Sequence, residues 1–140
     1  MQHDRYRCDG WALLVYFIVL GVALTAYGAD DEKPWSIRVG EHHQYTRVVF
    51  DMDQSVPYKI VPQGVEGKNL RVVFMNGGLA SEEYILLVDK GIVNRIHIKP
   101  QAEQTLAEIM LTKSAEVKEH FHLDDPYRVI IDVSQAGKHK

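Results

Sequence analysis

The chain has 140 residues, 46% of them hydrophobic and 25% charged, with a formal net charge of −3. That length suits one domain and the composition is that of an ordinary globular chain. The absence of a basic block excludes the electrostatic footprint of a nucleic-acid binder, so no nucleic-acid partner is expected.

The first stretch stands apart. From Trp11 to Ala29 there is no charged residue, and Leu13 to Leu24 reads LLVYFIVLGVAL. Arg5 and Arg7 precede it, offset by Asp4 and Asp9. Thr25, Ala26, Gly28 and Ala29 follow it, and then Asp30, Asp31, Glu32, Lys33 and Pro34. A charged head, an apolar core and a small-residue exit at Ala26-Tyr27-Gly28 read as a secretory signal peptide. The uncharged run is also long enough to span a bilayer as one helix, so a retained N-terminal anchor is the alternative. Either way the rest of the chain is expected in the periplasm, released after cleavage or held at the inner membrane by residues 11–29. The single cysteine, Cys8, precedes the apolar core, the wrong side for a lipid attachment site. The segment after Gly28 has no cysteine and can form no disulfide. The expected organisation is a signal peptide or anchor over 1–29, a linker over 30–35, a β-domain over 36–134 and a polar tail over 135–140.

Beyond Pro34 the chain alternates at period two. In Arg47-Val48-Val49-Phe50-Asp51-Met52, the apolar Val48, Phe50 and Met52 share one face, the pattern of a half-buried strand. Val56 to Val61 predicts a second strand, in which Pro57 suits an edge or a strand start. Leu70 to Phe74 predicts a third, closed by the turn signal Asn76-Gly77-Gly78. Ser81-Glu82-Glu83-Tyr84 allows one short helical turn. Ile92 to Ile98 predicts a strand. Gln101 to Glu108 contains helix-friendly residues, but Ala107, Ile109 and Leu111 align as a strand over Leu106 to Leu111. Glu116 to Leu123 alternates more weakly, through Val117 and Phe121. Asp124-Asp125-Pro126 reads as a turn. Tyr127 to Val133 is the clearest strand, with Val129, Ile131 and Val133 on one face.

An internal echo runs at a spacing of 59. Ile37-Arg38-Val39 matches Ile96-His97-Ile98, and Thr46 matches Thr105. Val48, Phe50 and Met52 match Ala107, Ile109 and Leu111, while Leu70 and Val72 match Val129 and Ile131. The echo lies in the inward pattern, as expected of two related, packed β-layers. The fold class expected is all-β: a small β-sandwich of two similar sheets, each half of the chain giving one sheet, preceded by an N-terminal hydrophobic helix.

Two phrases carry a family resemblance. Ile37-Arg38-Val39-Gly40, Tyr45 to Met52 and Val56-Pro57-Tyr58 resemble the opening of an AMIN domain. Leu123-Asp124-Asp125-Pro126-Tyr127-Arg128-Val129-Ile130-Ile131-Asp132-Val133 resembles its close. Such domains stand at the N-terminus of periplasmic N-acetylmuramoyl-L-alanine amidases and in type IV pilus secretins. The resemblance covers roughly residues 36 to 134. It implies a sandwich of two similar sheets, peptidoglycan binding and placement in the cell envelope. This sequence departs from the pattern at Leu106-Ala107-Glu108, where the first half has Arg47-Val48-Val49. Within these 140 residues no amidase or secretin partner domain is expected beside it.

On that resemblance, Arg47, Arg71 and Arg128 are candidates to donate paired hydrogen bonds to stem-peptide carboxylates. Tyr45, Tyr58 and Tyr127 are candidates to lay rings against sugars. The competing reading is structural: Arg47 with Asp51, and Arg128 with Asp132, share strand faces where cross-strand ion pairs form. No catalytic residue is expected. There is no H-E-x-x-H, no G-x-S-x-G and no glycine-rich phosphate loop. His120 and His122 share a strand face, and His42-His43 and His97 lie elsewhere, but nothing in the sequence gathers them, so neither metal nor other cofactor is expected. The partner expected is peptidoglycan. The alternative is a protein-interaction part of an envelope assembly such as a type IV pilus or secretion system, joined through its edge strands. A third reading is a truncated amidase that keeps only its targeting domain.

Overall fold

The structure is a computed structural model and describes residues 35–63 and 66–137. The apolar N-terminal run and its signal-or-anchor reading lie outside the described residues. The described chain is all-β. Its strands are β1 (Trp35–Glu41), β2 (Thr46–Met52), β3 (Tyr58–Gln63), β4 (Asn69–Phe74), β5 (Tyr84–Lys90), β6 (Val93–Pro100), β7 (Thr105–Leu111), β8 (Ala115–Asp124) and β9 (Tyr127–Gln135). They form two antiparallel sheets, one in the order β1-β2-β9-β8 and the other in the order β3-β4-β7-β6-β5.

Period-two alternation dictates which side chains meet between the sheets. From the first sheet come Val48, Phe50, Val129 and Ile131; from the second come Val72, Phe74, Ile96, Ile98, Ala107 and Ile109, all fully buried. Burying each large aliphatic or phenyl group stabilises the fold by about 1.5–3 kcal/mol. Trp35 and Phe50 stack at 5.7 Å, and Phe74 meets both rings edge-on, at 5.5 Å and 4.9 Å. Thr46 and Thr105, matched in the sequence echo, each tie a neighbouring segment to a strand through the side-chain hydroxyl. Thr46 Oγ1 accepts from Ile92 N at 3.1 Å, and Thr105 Oγ1 donates to Asn76 O at 2.7 Å.

The echo extends to strand register. The pairs Leu70–Ile109 and Val72–Ala107 between β4 and β7 become Val129–Phe50 and Ile131–Val48 between β9 and β2 when each residue moves by 59 in the appropriate direction. The division into sheets differs from the expectation of one sheet per half. Each half contributes one hairpin to each sheet: β1-β2 pairs with β9-β8, and β3-β4 with β7-β6. The central ladder of each sheet therefore joins the two halves.

Three local differences stand out, two of them with a physical cause. Residues 84–90 form a strand, because the apolar run Tyr84-Ile85-Leu86-Leu87-Val88 pairs with β6 through a tight connection at Gly91. Gly91 has φ +55, and a Cβ there would collide with the Thr46 hydroxyl. The second predicted strand begins two residues later, at Tyr58. In β8 a bulge between Val117 and Glu119 shifts the register. Val117 lies opposite Val133, whereas beyond the bulge His120 and His122 lie opposite Ile131 and Val129. Phe121 is thereby turned to the outer face, which explains the weak alternation of this segment. The β8-β9 turn contains a cis Asp125–Pro126 peptide.

Candidate functional site

The sheet edges define two sides of the molecule. On one side β8 and β3 are joined by Tyr58 Oη and His120 Nδ1, 3.0 Å apart. On the other, β1 and β5 flank an open groove of about 620 Å³. Ile37, Val39, Leu86, Leu87 and Val88 give it an apolar wall, and Arg38, His42, Arg47 and Lys90 give it a basic one. Gly40 lies between them, where an added Cβ would meet only His42 Nε2, at 3.7 Å. The β1 backbone is therefore open to the groove. No acidic side chain is among its described lining residues.

The outer face of the β1-β2-β9-β8 sheet holds the arginines in fixed positions. Arg38 donates from Nε and Nη2 to Asp51 at 2.6 and 2.8 Å. Arg47 makes the same forked contact with Asp132, both bonds 2.8 Å. The Asp132 carboxylate is buried and the Arg47 side chain is 32% exposed. These hydrogen bonds hold both guanidinium pKa values above their ordinary range. The Arg38 hydrogen bond likewise holds the Asp51 carboxyl below its usual range. A guanidinium carries five N–H donors, so each arginine keeps donors for a further acceptor. Beside Arg47, Tyr45 stacks on His42 at 4.6 Å, with the Arg47 and Lys118 cations 5.3 and 5.1 Å from its ring centre. Phe121 packs on the other flank of Arg47, 5.9 Å away.

Of the six residues singled out from sequence, Tyr45 and Arg47 stand together beside the groove. Arg128 shares their sheet face, opposite Asp51 in the β2-β9 ladder. The other three lie elsewhere. Arg71 is on the outer face of the second sheet, where its Nη2 donates to Glu108 at 2.8 Å and its buried Nε has no hydrogen-bond partner among the described residues. Lys99 shares that carboxylate at 2.8 Å, and its hydrogen bond with that of Arg71 lowers the Glu108 pKa. Tyr58 is half-buried, tilted against Phe74 at 6.3 Å. Tyr127 is buried and donates to Val56 O at 2.9 Å, tying β9 to the segment before β3. Its ring serves the core.

The histidines are dispersed. His120 bonds Tyr58, His122 packs on Tyr127 at 5.6 Å, and His97 pairs with Glu83. Among the described residues, no group of three His, Cys, Asp or Glu is disposed to hold a metal ion. Sequence reading passed over Lys90, Leu87, Lys118 and Phe121. The first two belong to β5, whose all-apolar run hides its alternation. Phe121 depends on the β8 bulge, which leaves no mark in the residue types.

No protein-family model matches this chain, and no curated protein sequence matches it.

Proposed function

We propose that this chain is a non-catalytic module of the bacterial cell envelope, of AMIN type, that binds peptidoglycan in the periplasm. The observation that carries this reading is the basic groove beside Tyr45 and Arg47, on the face built by the two sequence phrases that resemble that family. Peptidoglycan stem peptides present carboxylates, and charge-assisted hydrogen bonds from positioned guanidinium groups are the strongest contacts a protein surface offers them. The apolar N-terminal run supplies export, with inner-membrane attachment if it is retained. Co-sedimentation of the full-length chain, in mild detergent, with purified sacculi tests the reading. A chain that stays in the supernatant at low and moderate salt rejects it.

A second reading, a protein-interaction part of an envelope assembly, is favoured by one feature. β5 is an edge strand whose outward Ile85 and Leu87 are 51% and 75% exposed. Free strand edges bordered by apolar side chains invite pairing with another chain. A stable partner recovered from solubilised envelope together with no sacculus binding favours this second reading.

A further inference from the structure

The groove between β1 and β5 has three properties that together select a ligand. It is bordered by two edge strands, whose outward backbone N–H and C=O groups have no neighbouring strand among the described residues. Its described charged lining residues, Arg38, Arg47 and Lys90, are all basic, and His42 stands with them. At about 620 Å³ it falls in the range of small-ligand sites, roughly 300–1,000 Å³, and has room for a short segment of chain.

We propose that this groove takes a short, extended peptide bearing free carboxylates, which for a wall-binding protein is the peptidoglycan stem peptide and not the glycan strand. The inference rests on the peptidoglycan reading above. The stem lies between the strand edges, its main chain meeting the backbone exposed at Gly40. Its aliphatic side chains contact Ile37, Leu86 and Val88. Its carboxylates meet Lys90 and the guanidinium donors that Asp51 and Asp132 leave free. The aromatic rings argue against the glycan as the main determinant. Tyr127 is buried, Tyr58 is engaged by Phe74 and His120, and Tyr45 is engaged by His42, Arg47 and Lys118.

Gly40 provides a variant that separates binding from folding. It is not in the left-handed region, and a Cβ there makes only an ordinary contact. A β-branched residue suits a strand, so Gly40→Val fills the groove without straining the fold.

The test uses the full-length chain in mild detergent with three probes: intact sacculi, glycan strands stripped of their stems by an amidase, and the soluble tetrapeptide Ala-γGlu-diaminopimelate-Ala. The expected result is retention on intact sacculi, displacement by the tetrapeptide and no retention on stripped glycan. Gly40→Val, by filling the groove, and Lys90→Glu, by reversing a charge in it, each weaken retention on sacculi about ten-fold or more, with unchanged circular dichroism. Equal binding to intact sacculi and stripped glycan overturns the stem assignment while leaving wall binding intact. So do folded variants that bind like the parent. An all-L acidic peptide that competes as well as the tetrapeptide also overturns it, and points to a protein ligand. Failure to bind sacculi at all rejects the wall-binding reading itself.

Discussion

Arg47 and Asp132 show how one pair of side chains both ties two strands together and fixes a groove-lining guanidinium. Asp132 sits in the buried middle of β9, and its carboxylate is satisfied by the Arg47 fork. Removing the acid leaves a partly buried guanidinium without its partner. Asp132→Ala is expected to lower stability by about 1–3 kcal/mol, less than a fully buried pair because Arg47 is partly solvated. Urea denaturation checks this, and an unchanged midpoint would refute it. The carboxyls of Asp51 and Glu108 add a pH dependence. Their folded pKa values lie below the ordinary range, so the stability they contribute is complete above that range and is lost as pH falls through the depressed values. The urea midpoint is expected to fall progressively below about pH 5, and Glu108→Gln to flatten part of that slope. At Gly91 the positive φ and the close Thr46 hydroxyl both oppose a side chain. Gly91→Ala should cost about 1–3 kcal/mol, and a melting temperature equal to the parent's would contradict this.

At the scale of elements, legibility followed the physics of alternation. β2, β4, β7 and β9 carry apolar residues on one face with polar punctuation on the other, and each was readable. β5 was not, because a strand at a sheet edge with apolar residues on both faces has no period to detect. β8 was readable only in outline, because its bulge reverses the faces midway. Of the candidate groove, Arg47 and its neighbour Tyr45 stand in or beside the strand phrase that singled them out. Lys90 and Gly40 gain meaning only when β1 and β5 face one another. The same layout predicts the pattern of local opening. Central strands β2, β9, β4 and β7 should hold the slowest-exchanging amides, and β5 and β8 the faster ones, because each edge strand is bonded on one side only. Hydrogen exchange that protects β5 as strongly as β7 would show that this edge is covered in solution.

At the scale of the whole molecule, the repeat has a consequence for folding. Because each sheet takes one hairpin from each half, neither half can close a sheet alone. A fragment ending near residue 82 is expected to be unfolded by circular dichroism, while mixing it with the complementary half restores β-structure. An independently folded first half would contradict the shared-sheet topology. The same interleaving brings the opening and closing sequence phrases into adjacent strands β2 and β9, where Arg47 meets Asp132. A surface formed by both ends of the domain, with a basic groove at its margin, is the basis for proposing a wall ligand. The most direct measurement is a titration of purified sacculi with the full-length chain, with chitin as a stem-free glycan control. Saturable retention on sacculi and none on chitin is the predicted result. Retention absent from sacculi, or proportional to added protein without saturation, would contradict the central proposal.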